Sequence, residues 1–598
     1  MKPGSPVRTF GPLAAIAAIQ LVIVLAFPST APNTTSAADS SITGGLQQPG
    51  TAPNGVPLPG SSATGAPGTT RTGSGGTAPG GGVTIGPGGT VRGPDPALAA
   101  GDTSHCVGGR QFSPDLEYFA PPCVPGIPGS AYPGDNGGAT WQGVTKDTIE
   151  VVNYVPDYGA EVNTILKAQG LYYSAPQAKV FNAAFERFIN THYQLYGRKV
   201  HIDTFQGTCQ TVPPNLQCLI PEMQTMVARY HPYAVVFQTT LCSACYAELA
   251  RLKVVSTGGA GFSDAFHNAN APYSYDVAMS STRVELAFAD WWCSQMTSQG
   301  GSGRTAIFAG AQNKQQDFRQ KPRVLGILST NDPDNKDTVK NVFYPALKRG
   351  CGEVVTHEYF YAQDINRAAQ QSQAGSAALD TPTNPATSVL CLCDPVAPQF
   401  ASNAGATQNY WPESLIASDQ SMDVDATAQT YMDSNGNASL ACPSPSRGCN
   451  YDNIVGLGQA DAEVPEAQQS AVKVFRSSAP GASQPVKTPS LQIFWDNYNL
   501  LASLFQNTGP ILTPTRMQQL APSMGSRGGG ATGHQLRAFE AGSWTWVKDV
   551  RVLYLNKHKK SPYNGQPGSY VQIEGGRHNL GGFDTVKQPP APLVADRR

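Results

Sequence analysis

The stretch "GVTKDTIEVVNYVPDY", residues 143–158, is where the chain first reads as packed protein. From Ile149 to Val155 all but Glu150 and Asn153 are apolar or aromatic, with Val151 next to Val152 and Tyr154 next to Val155, the pattern of a strand covered on both faces. The run stops at Pro156, so the strand delivers Asp157 and Tyr158 to its carboxyl end. Working outward, "QAKVFNAAFERFINTHYQL" places Phe181, Ala184, Phe185, Phe188 and Ile189 at spacings of three and four, one apolar helical face, with Gly197 beyond it as a stop. "RKVHIDTF" then alternates as a strand, "PEMQTMVARY" reads as helix, "YAVVFQTT" as strand, "SACYAELARL" as helix and "VVSTGG" as strand. Strand and helix take turns with connections too long for hairpins, which implies parallel strands joined by right-handed crossovers.

A second series begins near Asp276. "STRVELAFADWWCSQM" is an amphipathic helix, and "RVLGILSTND" is a continuous apolar strand ending on Asn331 and Asp332. The helix "DNKDTVKNVFYPALKRG" opens on Asp and is expected to close at Gly350. Strand "GEVVTHEYF", helix "INRAAQQSQAGSAAL", strand "TSVLCLCD", a helix around Pro398 to Thr407 and strand "ESLIASD" follow. The fold class expected is therefore α/β, with two doubly wound parallel-sheet lobes. Late in the chain, "LQIFWDNYNLLASLF" spaces residues 491, 494, 495, 498, 501 and 505 as a buried helical face, so Trp495 and Tyr498 are expected to report packing. Trp544 and Trp546 alternate in "SWTWVKDVRVLY" and are expected on a strand, packed in the core.

Open α/β sheets bind ligands outside the carboxyl ends of their strands, where helix N-termini and loop side chains converge. That rule selects Asp157 and Tyr158, Thr239, Thr240 and Leu241, and Gly258 and Gly259 in the first series. In the second it selects Asn331 and Asp332, Asp394, and Ser418 and Asp419. Asp332, Asp394 and Asp419 have a plainer reading as caps of the helices that follow them.

The first hundred residues set the compartment. Lys2 and Arg8 precede "GPLAAIAAIQLVIVLAF", uncharged from Gly11 to Phe27, an export signal or an N-terminal anchor near the lower limit for spanning a bilayer of about 30 Å. From Pro28 to about Ala100 Gly, Pro, Ser and Thr dominate, and such a segment cannot repay the entropy of ordering itself. No cysteine lies near the apolar segment, which excludes lipid anchoring through one.

Twelve cysteines in a chain with an export signal point to disulfides. Cys106 and Cys123, Cys209 and Cys218, and Cys442 and Cys449 each bracket a short loop, and Cys293 with Cys351 form a fourth pairing. Cys242 and Cys245 in "LCSACY" have CxxC spacing, but no second CxxC or His pair completes a metal site. Cys391 and Cys393, two apart on one face of a strand, are not expected to bond each other.

A net charge of -1 leaves no electrostatic footprint for nucleic acid, and the basic run "NKHKK" at 556–560 reads as a solvated loop. No G-x-S-x-G elbow, H-E-x-x-H, P-loop or strand-linked G-x-G-x-x-G is present, and "YMDSNGNAS" lacks the terminal Glu of a calcium loop. The chain thus reads as non-catalytic, with no cofactor and no metal.

Taken in order, "GVTKDTIEVVNYVPDY", "FNAAFERFINTHYQLYGRKVHIDTFQ", "YAVVFQTTLCSACYAELARLKVVSTGG", "YSYDVAMSSTRVELAFADW" and "RVLGILSTNDPDNKDTVKNVFYPALKRGCGEVVTHEYF" resemble the extracytoplasmic solute-binding proteins of branched-chain amino acid ABC transporters, the type I periplasmic binding fold. "FAPPCVPG", "GDNGGATWQGVT", "WVKDVRVLYLN" and "SPYNGQPGSYV" resemble more narrowly the actinobacterial branch of that family. The resemblance implies two lobes joined by three hinge strands that close on a small polar solute such as an amino acid, an amide or a related organic acid. It further implies a membrane permease as partner, a monomer, and ligand contacts from the loop after "VVFQTT", from Tyr275 and from Asp157 or Tyr158. Where amino-acid binders carry a small Gly/Ser-rich loop after the third strand, this chain reads "TTLCSAC". A ligand-sensing ectodomain and a wall-associated adhesion protein are the alternatives. The division expected is 1–30 export segment or anchor, 31–100 disordered linker, 101–142 cysteine-bracketed extension, 143–276 and 465–535 first lobe, 277–464 and 536–585 second lobe, and 586–598 disordered tail.

Overall fold

A computed structural model describes residues 84–85, 91–92, 97–98, 101–238, 242–259, 261–297, 304–310, 317–417, 420–431, 454–573 and 576–583. The expected export segment, the tail, Cys442 with Cys449, and all of "YMDSNGNAS" after Tyr431 lie outside them. In the linker, Thr84–Ile85 and Val91–Arg92 form a short antiparallel pair. Among the described residues no helix is long and apolar enough to cross a membrane.

Strand β1 (Thr148–Asp157) is central in a four-stranded sheet with β2 (Lys199–Gln210), β3 (Ala234–Val236) and β4 (Val255–Thr257), in the order β2-β1-β3-β4. All three pairings are parallel, and the β1–β2 register slips between Val155 and Asp157, at Pro156, which has no N–H to give the ladder. Helices α1 (Gly159–Gln169), α2 (Ala175–His192), α3 (Leu216–Tyr230) and α4 (Ser243–Arg251) connect these strands. Gln177 reaches back to accept from the Ser174 N–H at 2.9 Å, tying down the start of α2. The apolar face read from the sequence is buried: Phe181, Ala184, Phe185 and Phe188 have no exposed surface.

The second sheet runs β6-β5-β7-β8-β9-β10-β11, with β5 (Leu325–Thr330), β6 (His357–Tyr361), β7 (Ser388–Leu392), β8 (Glu413–Ala417), β9 (Ile454–Gly458), β10 (Asp549–Lys560) and β11 (Pro567–Gln572). Its first five strands are parallel, and β10 and β11 extend it antiparallel. The helices are α5 (Ser281–Trp291), α6 (Pro333–Thr338), α7 (Tyr344–Cys351), α8 (Ala368–Leu379), α9 (Ala397–Thr407) and α10 (Asp425–Tyr431). Arg323 and Glu413 pair through two 2.8 Å bonds, both side chains fully buried, and Glu413 also accepts from Ser388 Oγ and the Phe308 N–H. Every polar atom of that carboxylate is thereby used, the condition under which a buried charge is tolerated.

The chain passes between the sheets three times. It leaves β4 and enters α5 through Asp276 and Val277; it leaves β9 through Gln459 to Asp461 and enters α11 (Ser470–Ser478), which packs on α2; and it returns from α12 (Thr488–Thr508) through Gln535 to Lys548 into β10. The three passages bond to one another. Trp546 N–H donates to Asp276 O, and Val547 N–H to Val277 O, at 3.0 and 2.9 Å. Gln459 Oε1 accepts from the Met279 N–H, and Gln459 O accepts from Gln535 Nε2. Arg577 spans Gln459 O and Asp549 Oδ1.

Several local expectations are corrected. Helix α7 ends at Gly352 with φ 73°, not at Gly350, so Cys351 lies inside the helix. A five-residue π-helical turn ends one long helix at Trp292–Met296 and another interrupts the next at Val339–Phe343, where the rings of Phe288, Trp292 and Phe343 meet. "NKHKK" is the outer end of β10 and not a loop, its last three side chains exposed beyond the covered part of the sheet. Trp544 and Trp546 precede β10 on the third passage rather than lying on a strand, although both are buried. Helix α12 is buried nearly all round, because the 101–142 extension covers its remaining side: Trp495 donates to Glu117 and Gln506 to Pro122 O.

Disulfides join Cys106 to Cys123, Cys209 to Cys218, Cys242 to Cys245, Cys293 to Cys351, and Cys391 to Cys393. The last overturns the sequence expectation: β7 ends at Leu392, so Cys393 is free of strand geometry and its Cα comes within 5.1 Å of that of Cys391. Cys293–Cys351 spans 58 residues and constrains the unfolded chain most. Replacing both with Ser is expected to lower unfolding free energy by about 2–4 kcal/mol in denaturant titration, whereas the same change at Cys391 and Cys393 lowers it less.

Candidate functional site

In each parallel sheet the strand order reverses beside its first strand, between β1 and β3 in one and between β5 and β7 in the other. Such reversal points open a crevice at the carboxyl ends of the strands. A cavity of about 170 Å³ lies at both crevices at once. From the first sheet it is walled by Tyr158, Val162, Leu166, Leu171, Val212 and Gln238; from the second by Leu328, Tyr361, Cys391, and the loop from Asp394 to Ala397. It continues beneath α8 and α9, along the face of the sheet as far as Leu379 and Tyr410.

The polar groups at its mouth are held in place. Tyr158 Oη donates to Gln238 O at 2.9 Å. Tyr361 Oη donates to Asp394 Oδ2 at 2.7 Å, while Asp394 Oδ1 accepts from the N–H groups of Val396 and Ala397. Burial, and then the charge and hydrogen bond of Asp394, hold the Tyr361 phenol well above its ordinary range, so it stays a donor. Gln238 Nε2 donates to Ser490 Oγ at 2.8 Å, and Gln238 Oε1 has no partner.

A smaller, more polar recess of about 70 Å³ adjoins this cavity and shares Gln363, Asp394 and Pro395 with it. Ser281 and Glu285 of α5 and Ser329 of β5 enter it with Ser281 Oγ, Glu285 Oε2 and Ser329 Oγ unpaired. Glu285 is 2% exposed, and burial, then the charge of Asp334, push its carboxyl well above the usual range. Across the gap Asp334 accepts from Ser263 N and Oγ, Asp332 accepts from Ser243 Oγ at 3.5 Å, and Gln169 Nε2 donates to Pro395 O at 2.7 Å. The two sheets' elements therefore meet on both sides of the cavity.

Of the residues selected from the sequence, Tyr158 and Asp394 line the cavity. Asp394 also accepts from the N–H groups at the start of α9, whereas Asp332 caps α6 and lines neither cavity. Asp157 turns the chain by accepting from the Gly159 N–H, and Asn331 is exposed, its N–H donating to Tyr361 O. Gly258, at φ 84°, meets the Phe237 carbonyl so closely that no Cβ fits; Gly259 faces Phe262 and Asp276. Tyr275 is buried beside the first passage against Phe539 and Trp544, away from the cavity. Thr239, Thr240, Leu241, Ser418 and Asp419 lie outside the described residues. Gln238, Tyr361 and Glu285 were not selected. The first two sit at strand ends the rule could have reached, and Glu285 was visible as an acid beside the apolar positions Val284, Ala287 and Phe288.

Among known proteins, no family model and no curated sequence matches the chain. Solved structures do. An ABC transporter solute-binding protein of R. palustris in complex with 4-hydroxybenzoate is 12% identical, covering 75% of this chain and 100% of that one at a TM-score of 0.47. A possible leucine/isoleucine/valine-binding protein from Rhodopirellula baltica is 12% identical over 71% of this chain and 96% of its own, at 0.45. An ABC transporter substrate-binding protein from Desulfitobacterium hafniense in complex with Leu is 12% identical over 71% and 100%, at 0.42. At such scores the sheet order and the three passages of this chain, rather than the likeness, define its architecture.

A carboxyl whose proton is held more tightly in the folded than in the unfolded chain loses stability as pH rises through the folded value. Glu285→Gln keeps the shape and removes the titration, so its melting temperature is expected to exceed that of the wild type at pH 8. The gap should close towards pH 4; a gap that is flat with pH would dismiss the buried acid as its source.

Proposed function

We propose that the chain is an extracytoplasmic solute receptor that closes its two α/β units on one small molecule and presents the closed form to an ABC importer. The observation that carries this reading is one cavity at the reversal points of both sheets, bounded by loops that meet across it. A molecule there touches both units and favours their approach by its difference in affinity for the shut and open forms. The three bonded passages serve as the hinge, since short segments between rigid sheets absorb the rotation. Five disulfides and the export-type leader fit an oxidising compartment outside the cytoplasm. The permease partner, the monomeric state and the actinobacterial affinity follow from the sequence resemblance and belong to the same proposal. So do the lobe boundaries at 276, 464 and 535, which fall at or beside the three passages.

The test joins thermal shift to small-angle scattering. A true ligand at about 100 times its Kd adds about 2.7 kcal/mol to stability and reduces the radius of gyration. Gln169→Ala, which removes the bond to Pro395 O, is expected to weaken binding about two- to tenfold, the worth of one buried hydrogen bond. Binding without contraction, or turnover of a bound molecule, overturns the reading.

A further inference from the structure

The inner wall of the cavity is the face of α8 formed by Ala368, Gln371, Ser372, Gly375, Ser376 and Leu379, at helical spacings of three, four, seven, eight and eleven. A core-facing helix stripe normally carries large apolar side chains that fill the space to the sheet. Here it is mostly Ala, Ser and Gly, and Ala397 and Ala401 of α9 continue the same thin wall. Opposite stand Leu328, Val389, Leu415 and Ile416. The result is an apolar chamber where close packing would be expected. An apolar cavity of roughly 150 Å³ takes a benzene-sized guest; this one, at about 170 Å³, takes a ring with a short substituent.

Charge and hydrogen bonding narrow the guest. Among the described residues that line the chamber there is no Lys, Arg or His, so a carboxylate would enter without a counter-charge. Two acids line it: Asp394 is occupied by Tyr361 Oη and two backbone N–H groups, and Asp364 accepts from the N–H and the side-chain amide of Asn366. Gln238, 3% exposed, lines the chamber with its Oε1 left without a partner. Its orientation is fixed: Ser490 Oγ gives its own hydrogen to Leu171 O and therefore accepts from Gln238 Nε2. Oε1 is thus a buried acceptor without a donor, in a side chain that lines the chamber.

We infer that the site takes a neutral, largely hydrocarbon molecule about one ring in size, a phenol or hydrophobic alcohol, whose hydroxyl donates to Gln238 Oε1 while its body lies beneath α8 and α9. This rests on the cavity being the ligand site of the receptor proposed above. It departs from the amino-acid or organic-acid solute expected from the sequence, because a zwitterion or a carboxylate leaves charge unpaired in this chamber.

Calorimetric titration of the full chain with 4-ethylphenol, 4-ethylanisole, benzoate and leucine tests the inference. Expected are one-site binding of 4-ethylphenol, at least tenfold preference over 4-ethylanisole, which lacks the donor, and no heat from benzoate or leucine. Gln238→Leu should abolish the preference between phenol and anisole. Ala401→Phe and, independently, Ala368→Phe should each fill the chamber and weaken 4-ethylphenol at least tenfold, with circular dichroism confirming that the variant read is folded. Tighter binding of benzoate or leucine, or unchanged phenol binding in the folded Phe variants, overturns the ligand class. Scattering on the same samples separates the two readings. Contraction with leucine but not phenol retains the receptor and discards the phenol; phenol binding without contraction retains the ligand class and discards the hinge.

Discussion

Everything at the cavity depends on the knot of hydrogen bonds that binds the three inter-sheet passages. Gln459 is its centre: its side chain receives Met279 from the first passage, and its carbonyl receives Gln535 from the third and Arg577 from the end of the chain. Asp549 completes it by accepting from both Arg577 and the Leu536 N–H. Buried polar groups tied in this way act as a unit, since removing one partner strands the others without water. The consequence for the proposed hinge is mechanical: the two sheets would share one axis, and rotation about it would be felt at the gap between their carboxyl edges.

The chamber beneath α8 and α9 illustrates the opposite economy. Where the first unit packs α2 and α12 with Phe181, Phe185, Phe494 and Trp495 in ring-to-ring contact, the second leaves a wall of small side chains. Interiors resist voids because lining atoms lose their dispersion partners. A space kept open at that cost, continuous with a mouth whose tyrosines are fixed by hydrogen bonds, is the space the proposed guest would fill.

Much of the architecture was legible in the sequence because strands covered on both faces put adjacent apolar residues side by side, as "VV" and "YV" do in "IEVVNYV" and "IL" does in "LGILST". The alternation with amphipathic helices then dictates parallel order. What escaped was set by tertiary neighbours. The all-round burial of α12 comes from the 101–142 extension, more than 350 residues away in sequence, and its period of apolar residues carries no trace of that cover. The Cys391–Cys393 bridge depended on where β7 stops, and strand ends are the least legible feature of any pattern. At the site, the carboxyl-end rule reached Tyr158 and Asp394 but missed Gln238 by one position. The thin wall of "AAQQSQAGSAAL" was readable as helix, yet nothing in its composition says that the space beside it is empty.

One contact carries a kinetic corollary. Gln169 of one unit grips the Pro395 carbonyl of the other, and Tyr431 Oη donates to that same oxygen. In the proposed receptor a vestibule latched in this way admits visitors only during brief partings, so the observed association rate is the intrinsic one scaled by the fraction of time the latch is undone. Loosening this latch would hasten arrival and, more strongly, departure, and the residence time of whatever enters the proposed site is written as much in Gln169 as in the chamber itself.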